Sequence, residues 1–221
     1  MSPRPGTAMA AFITFEGLDG SGKSTHLARV AEALRVRGVP HRLTHEPGGT
    51  PLGEAVRRVF LDHRWGAMDG TVELLLVFAS RRQHLLEVVE PALARDEHVL
   101  CDRFTDSTRA YQGAGRGVAR ALIDQVDRVA TGGRTPDRTL LFDLPPEAAR
   151  ERGAGDRDGA GEADRLDREE LAFYRRVRDG FLELARDEPA RFRVIDSSGG
   201  KEATAAQVRR ALEDLVPEVA E

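Results

Sequence analysis

The chain predicts an α/β fold, a parallel sheet wrapped by helices, and three observations carry that prediction. Short apolar runs alternate with longer stretches of helical periodicity, the order produced by repeated strand–helix–strand units. A glycine-rich loop ending in Lys23-Ser24 separates the first apolar run from the first helical stretch. The length of 221 residues suits one such domain with a small insertion.

Taken in order, residues 1–10 hold Pro3, Pro5 and Gly6 without the apolar core of a signal segment, and read as a disordered tail. Strands are expected at 12–15, 42–44, 99–102, 139–143 and 192–195. Helical periodicity covers 25–37, 52–61, 71–93, 119–131 and 203–216. The last of these sets Ala203, Ala206, Val208, Ala211, Leu212 and Leu215 near helical spacing. One stretch breaks the rhythm: residues 152–164 are rich in glycine and charge and carry no apolar anchor. Burial cannot hold such a segment, so it reads either as a solvated loop or as a mobile insertion that folds over a ligand.

Composition narrows the function classes. The net charge of −4 argues against a duplex nucleic-acid binder, which carries a basic face. No apolar run approaches the roughly 18 residues that span a bilayer. A single cysteine, Cys101, rules out an internal disulfide and fits a reducing, cytoplasmic setting; its apolar neighbours mark it as a buried strand residue. Only Lys23 and Lys201 are lysines among 33 basic residues, so a lysine at the required place in a phosphate-loop pattern is hard to ascribe to chance.

That pattern is Gly17-Leu18-Asp19-Gly20-Ser21-Gly22-Lys23-Ser24, with Thr25 continuing into a helix. Glycines let backbone N–H groups converge on phosphate oxygens, and the helix adds the positive end of its dipole. Lys23 is expected on the β- and γ-phosphates and the Ser24 hydroxyl on Mg²⁺. A second metal anchor in this architecture is a carboxylate ending a neighbouring strand, and Asp102 fits, although Asp102 could instead cap a following helix.

The loop alone is compatible with many nucleotide-binding proteins. Four further segments narrow the choice: Glu46-Pro47-Gly48-Gly49-Thr50; Arg81 and Gln83 on the helix containing Glu73-Leu74-Leu75-Leu76; Asp102-Arg103-Phe104 with Ser107 and the run Ala110-Tyr111-Gln112-Gly113-Ala114-Gly115-Arg116-Gly117; and Pro136-Asp137-Arg138-Thr139-Leu140-Leu141-Phe142-Asp143, which precedes the insertion and Asp164-Arg165-Leu166-Asp167. In this order they resemble the bacterial thymidylate kinases over nearly the whole chain, from about residue 11 to 215.

The resemblance implies the fold of the P-loop nucleoside monophosphate kinases: a five-stranded parallel sheet flanked by helices, with a mobile lid. It places one kinase domain over 11–217, with the lid at about 150–167, and implies a homodimer. ATP with Mg²⁺ is the implied donor and dTMP the implied acceptor, giving dTDP by in-line transfer. Arg103 looks like the arginine that holds the acceptor phosphate, Tyr111 like the ring that crowds the sugar 2′ position, and Asp19 like the carboxylate near the 3′-hydroxyl. Arg81, Ser107 and Gln112 complete the acceptor side. Val77 stands where the family usually has a base-stacking phenylalanine, with Phe78 one residue later, about 100° around a helix. Gly20 supplies no charge to the loop, so the resemblance assigns the transfer-assisting arginine to the lid: Arg152, Arg157 or Arg165. Two rival readings stay open, a deoxynucleoside monophosphate kinase of broader base preference and a nucleotide-binding regulatory protein without catalysis.

Overall fold

The computed structural model describes residues 10–155 and 165–219. The tail before residue 10, the middle of the insertion and Arg157 therefore lie outside the described residues. Five parallel strands form one sheet: β1 (Phe12–Gly17), β2 (His41–His45), β3 (His98–Asp102), β4 (Arg138–Asp143) and β5 (Phe192–Asp196). Their order is β2-β3-β1-β4-β5 with every pair parallel, which gives the five-stranded parallel sheet that the resemblance implied. β1 is buried along its whole length because both its faces are covered, which explains its unbroken bulky run.

On one face, Leu27, Val30 and Leu34 of α1 (Lys23–Val36) and Val208 and Leu212 of α9 (Lys201–Leu212) pack on Ile13, Phe15, Leu100 and Phe142. The opposite face is covered by two clusters. One joins Leu85 and Val89 to Phe12, Val99, Cys101 and Phe104; the other joins Phe173, Val177 and Phe181 of α8 (Leu171–Asp187) to Leu141, Phe192 and Tyr111. Cys101 is buried there, and desolvation pushes its thiol well above the usual range.

Between these lie α2 (Pro51–Leu61), α3 (Gly70–His84), α4 (Glu90–Leu93), α5 (Thr105–Thr108), α6 (Arg120–Thr131) and α7 (Pro146–Gly155). The single helix expected over 71–93 is interrupted by a π-helical turn at Leu85–Val89. A second π-helical stretch, Arg109–Gly115, continues α5 and carries Tyr111 and Gln112. Such widened turns change which face a side chain leaves from, and periodicity counted at 3.6 residues cannot register them. The final helix stops at Leu212, short of the expected 216.

Parallel order puts the carboxyl ends of all strands on one edge. β1 leads outward to β2, whereas β3 crosses to β4 on the other side. A crevice opens where such connections part, and here it lies between the phosphate loop after β1 and Asp102-Arg103 after β3.

Candidate active site

Backbone geometry makes the phosphate loop. Gly17, Gly20 and Gly22 have φ of 137°, 79° and 88°. Gly22 precedes α1 with no side chain capping that helix, which leaves the positive helix end available to an anion. A Cβ on Gly20 would lie 2.1 Å from the carbonyl oxygen of Ala149 in α7. The helix that leads into the insertion thus sits on the loop, and no charged side chain fits at position 20 in this arrangement. The Leu18 side chain faces the core among Leu144, Ala149 and Phe181, so it serves the loop through its backbone. Thr25 is exposed in the first turn of α1.

Three charged groups meet above the loop. Lys23 Nζ donates to Asp19 Oδ1 at 2.9 Å, and the Arg103 guanidinium donates to the same oxygen at 2.8 Å. Desolvation works against charge on Asp19, but Arg103 and Lys23 outweigh it and hold the carboxyl well below the usual range. Arg103 also donates to the Gly17 carbonyl and to Ser107 Oγ, both at 3.0 Å, and lies 5.2 Å from the Tyr111 ring centroid. Its own backbone has φ of 71°, a left-handed conformation that costs a non-glycine residue about 1 kcal/mol or more.

Beneath Arg103 lies Glu16, fully buried at the end of β1. Its carboxyl accepts from the Phe104 N–H at 2.7 Å and meets Ser107 Oγ at 2.5 Å, fastening the strained turn. Burial, reinforced by Asp106, pushes Glu16 up to about 8 despite Arg103 nearby.

Asp102 ends β3 opposite Phe15, and its Oδ2 accepts from Ser24 Oγ at 2.9 Å. Its Oδ1 is buried without a hydrogen-bond partner. Asp102 does not cap the next helix, since α5 follows Phe104 and has no side-chain cap. A hydroxyl beside a carboxylate with one unused buried oxygen suits a hard divalent cation that takes its other ligands from phosphates and water.

From Asp19 and Arg103 a cleft of about 320 Å³ runs to an apolar end formed by Phe60, Leu61, Val77 and Leu166. Tyr111, Gln112, Thr108 and Arg81 line its middle. Arg81 is buried and preset: it donates to Glu46 Oε2 at 2.6 Å and to Thr108 Oγ1 at 3.1 Å, between the rings of Phe78 and Phe104. Glu46 in turn binds His84 Nδ1 at 2.7 Å, and opposing Arg81 and His84 hold its carboxyl low against a large desolvation.

The structure separates some residues that the sequence grouped. Val77 lines the cleft, whereas Phe78 packs behind it under Arg81. Arg152 donates to the carbonyls of Ser197 and Ser198 in the loop after β5. Arg165 is buried, and its recorded partners are Glu73 Oε1 at 2.6 Å and the Phe60 carbonyl at 3.2 Å, away from the phosphate loop. Sequence reasoning passed over Glu16, Phe60 and the buried role of Glu73. An acidic residue closing an otherwise buried strand could have marked Glu16; Phe60 looks like any apolar helix position.

A family model described as thymidylate kinase matches residues 15–208. A thymidylate kinase of Pseudomonas syringae pv. syringae is 49% identical over 210 residues, covering 95% of this chain and 96% of that protein. One from Paraburkholderia phytofirmans is 48% identical over 213 residues, covering 95% and 98%. The crystal structure of thymidylate kinase from Ehrlichia chaffeensis superposes with a TM-score of 0.67 at 38% identity, over 87% of this chain and 89% of that one. With its family model over residues 15–208 and relatives near half identical over nearly its whole length, the chain belongs to the thymidylate kinase family.

Proposed function

We propose that the cleft carries out the family reaction, ATP-dependent phosphorylation of dTMP to dTDP, with its charged end at the phosphates and its apolar end at the base. The observation that carries this reading is Arg103, held by the phosphate loop and by Asp19 where the cleft meets that loop. An acceptor phosphate would compete with Asp19 for this guanidinium, whose fork suits two phosphate oxygens. Lys23, released from Asp19, serves the β- and γ-phosphates.

An acceptor oxygen attacks the γ-phosphorus in line, the bond to the β–γ bridging oxygen breaks, and ADP leaves. Positioning and charge stabilisation suffice for this chemistry, so no covalent intermediate on the protein is needed. Ser24 and Asp102 would hold Mg²⁺, whose charge offsets that of the β- and γ-phosphates. Tyr111 stands at the sugar, Arg81 and Gln112 at the base edge, and Val77 with Phe60 against the base face. Position 20 carries no charge, and Arg152 or Arg157 supplies the assisting arginine from the lid.

The homodimer has a candidate face. Val72, Leu75 and Leu86 are exposed along α3 and its extension, and Leu52 and Val59 are exposed on α2, which packs against α3. No helix of the described residues is long and apolar enough to cross a membrane. The acidic net charge favours nucleotides over duplex nucleic acid as partners. An acceptor panel tests the reaction: with ATP and Mg²⁺, dTMP should turn over faster than dCMP and the ribonucleotide UMP. Absence of turnover with every deoxynucleotide would refute it. Sedimentation velocity should give about twice the monomer mass.

A further inference from the structure

Arg165 closes the list of lid arginines, yet its surroundings suit a different task. Its backbone N–H donates to the Leu61 carbonyl at 3.0 Å and its Nε to the Phe60 carbonyl, so it is seated on the last turn of α2. Its NH1 reaches Glu73 on α3 at 2.6 Å, and its guanidinium lies 5.3 Å from the Phe60 ring centroid. Glu73 is itself fully buried, and its other oxygen accepts from the Gln112 amide at 2.8 Å. Arg116 adds a second cation at 3.0 Å and is bridged to Glu169. The residue after Arg165, Leu166, lines the apolar end of the cleft with Phe60 and Val77.

We infer that Arg165 and Glu73 form a positioning pair that builds the base-side wall of the acceptor cleft, and that Arg165 does not assist phosphoryl transfer. One carboxylate sets three surfaces at once. Through Arg165 it holds Leu166 and the end of α2 that carries Phe60, and through its second oxygen it fixes the Gln112 amide. Each of these faces the place the base would occupy. The guanidinium is committed on two sides inside the protein, so bringing it to the transferring phosphoryl group would break its bonds to Glu73 and to the Phe60 carbonyl and leave the buried carboxylate with Arg116 as its remaining cation.

The inference rests on the reading of this cleft as the dTMP site, and the experiment keeps the two separable. Arg165→Met, Arg165→Lys and Glu73→Gln are measured beside the wild type for thermal midpoint, dTMP affinity by calorimetry, and kcat with the KM of each nucleotide. Expected for Arg165→Met is about a tenfold loss of dTMP affinity and a matching rise in dTMP KM. The ATP KM and kcat at saturation should stay within about threefold. Arg165→Lys should recover part of the dTMP affinity, because an ammonium restores the charge facing Glu73 but not the fork. Glu73→Gln should also weaken dTMP binding, and combined with Arg165→Met the two losses should not multiply, since both act on one contact.

A fall in kcat of about 10³-fold or more at unchanged dTMP affinity would overturn the inference and return Arg165 to the transfer step. Unchanged dTMP affinity and unchanged kinetics in Arg165→Met would also overturn it. Should Glu73→Gln not fold, the Met and Lys variants at position 165 decide by themselves. Failure of wild-type protein to bind dTMP, by contrast, strikes the reading of the cleft.

Discussion

Two arginine–carboxylate pairs stand beside the cleft, and their surroundings differ. Arg103 meets Asp19 at 2.8 Å, with the Asp19 side chain 59% exposed and shared with Lys23. Arg165 meets Glu73 at 2.6 Å, with side-chain exposures of 5% and 0%. Bond lengths barely differ, but surroundings do. The Asp19 carboxylate reaches water although Arg103 and Lys23 are largely buried, so it can leave its two cations to an arriving anion and still be solvated. A buried pair cannot be opened without leaving a charge in a poorly solvated site. On the proposed reading of the cleft, the end at Arg103 holds exchangeable charge, while the end at Arg165 uses charge to hold shape.

Four experiments would break or sharpen that contrast. The largest effect is expected at the exchangeable end. Lys23→Ala should lower kcat by about 10²–10³-fold, as loss of one preorganised donor to developing charge does, while the thermal midpoint barely moves. A collapse of folding instead would mean that the Lys23–Asp19–Arg103 cluster is structural. At the other end, Glu73→Ala leaves Arg165 and Arg116 facing a vacated site. A loss of about 3 kcal/mol is expected, read as a midpoint drop of about 6–12 °C. A midpoint unchanged by this substitution would erase the distinction between the two pairs.

Smaller still is the effect at the apolar wall. Phe60→Ala should raise the dTMP KM about tenfold, from lost apolar contact, and leave the ATP KM unchanged; equal changes in both would remove Phe60 from the base site. A pH-dependent test concerns Glu16, on stability rather than on the reaction. Its folded pKa is raised to about 8 from an ordinary 4.5, so the folded protein binds more protons than the unfolded chain between those values. Stability from this group is therefore greatest at low pH and falls as pH rises from 4.5 towards 8, by at most about 1.4 kcal/mol per pH unit. Denaturant unfolding of Glu16→Gln from pH 5 to 8 should show a flatter profile than wild type. Parallel profiles would show that Glu16 does not titrate in this window.

How far these pairs could be read without coordinates differs in an instructive way. Gly17 to Ser24 is contiguous, and its glycines are demanded by backbone conformation, so the loop is legible as a string. Asp102-Arg103 follows at a strand end and is legible once the strand is recognised. Glu73 and Arg165 are 92 residues apart, and nothing local to either says that they meet. Phe78 illustrates the same limit in reverse. It is aromatic and near the expected base contact, yet α3 turns it behind Arg81 and presents Val77 instead, while Phe60 of another helix faces the cleft.

The strand and helix order, the phosphate loop, the place of Asp102 at a strand end and the family to which the chain belongs were all legible in the sequence. Each of these rests on short-range rules: periodicity, backbone freedom at glycine, and residue types at fixed spacing. Tertiary structure alone decided that Asp19 bridges Lys23 and Arg103, that Glu16 lies under the Arg103 turn, and that Arg165 is seated on Glu73. The physical reason is that a charged side chain acquires its role from its solvation and its partner. Both come from residues that folding brings beside it from distant parts of the chain.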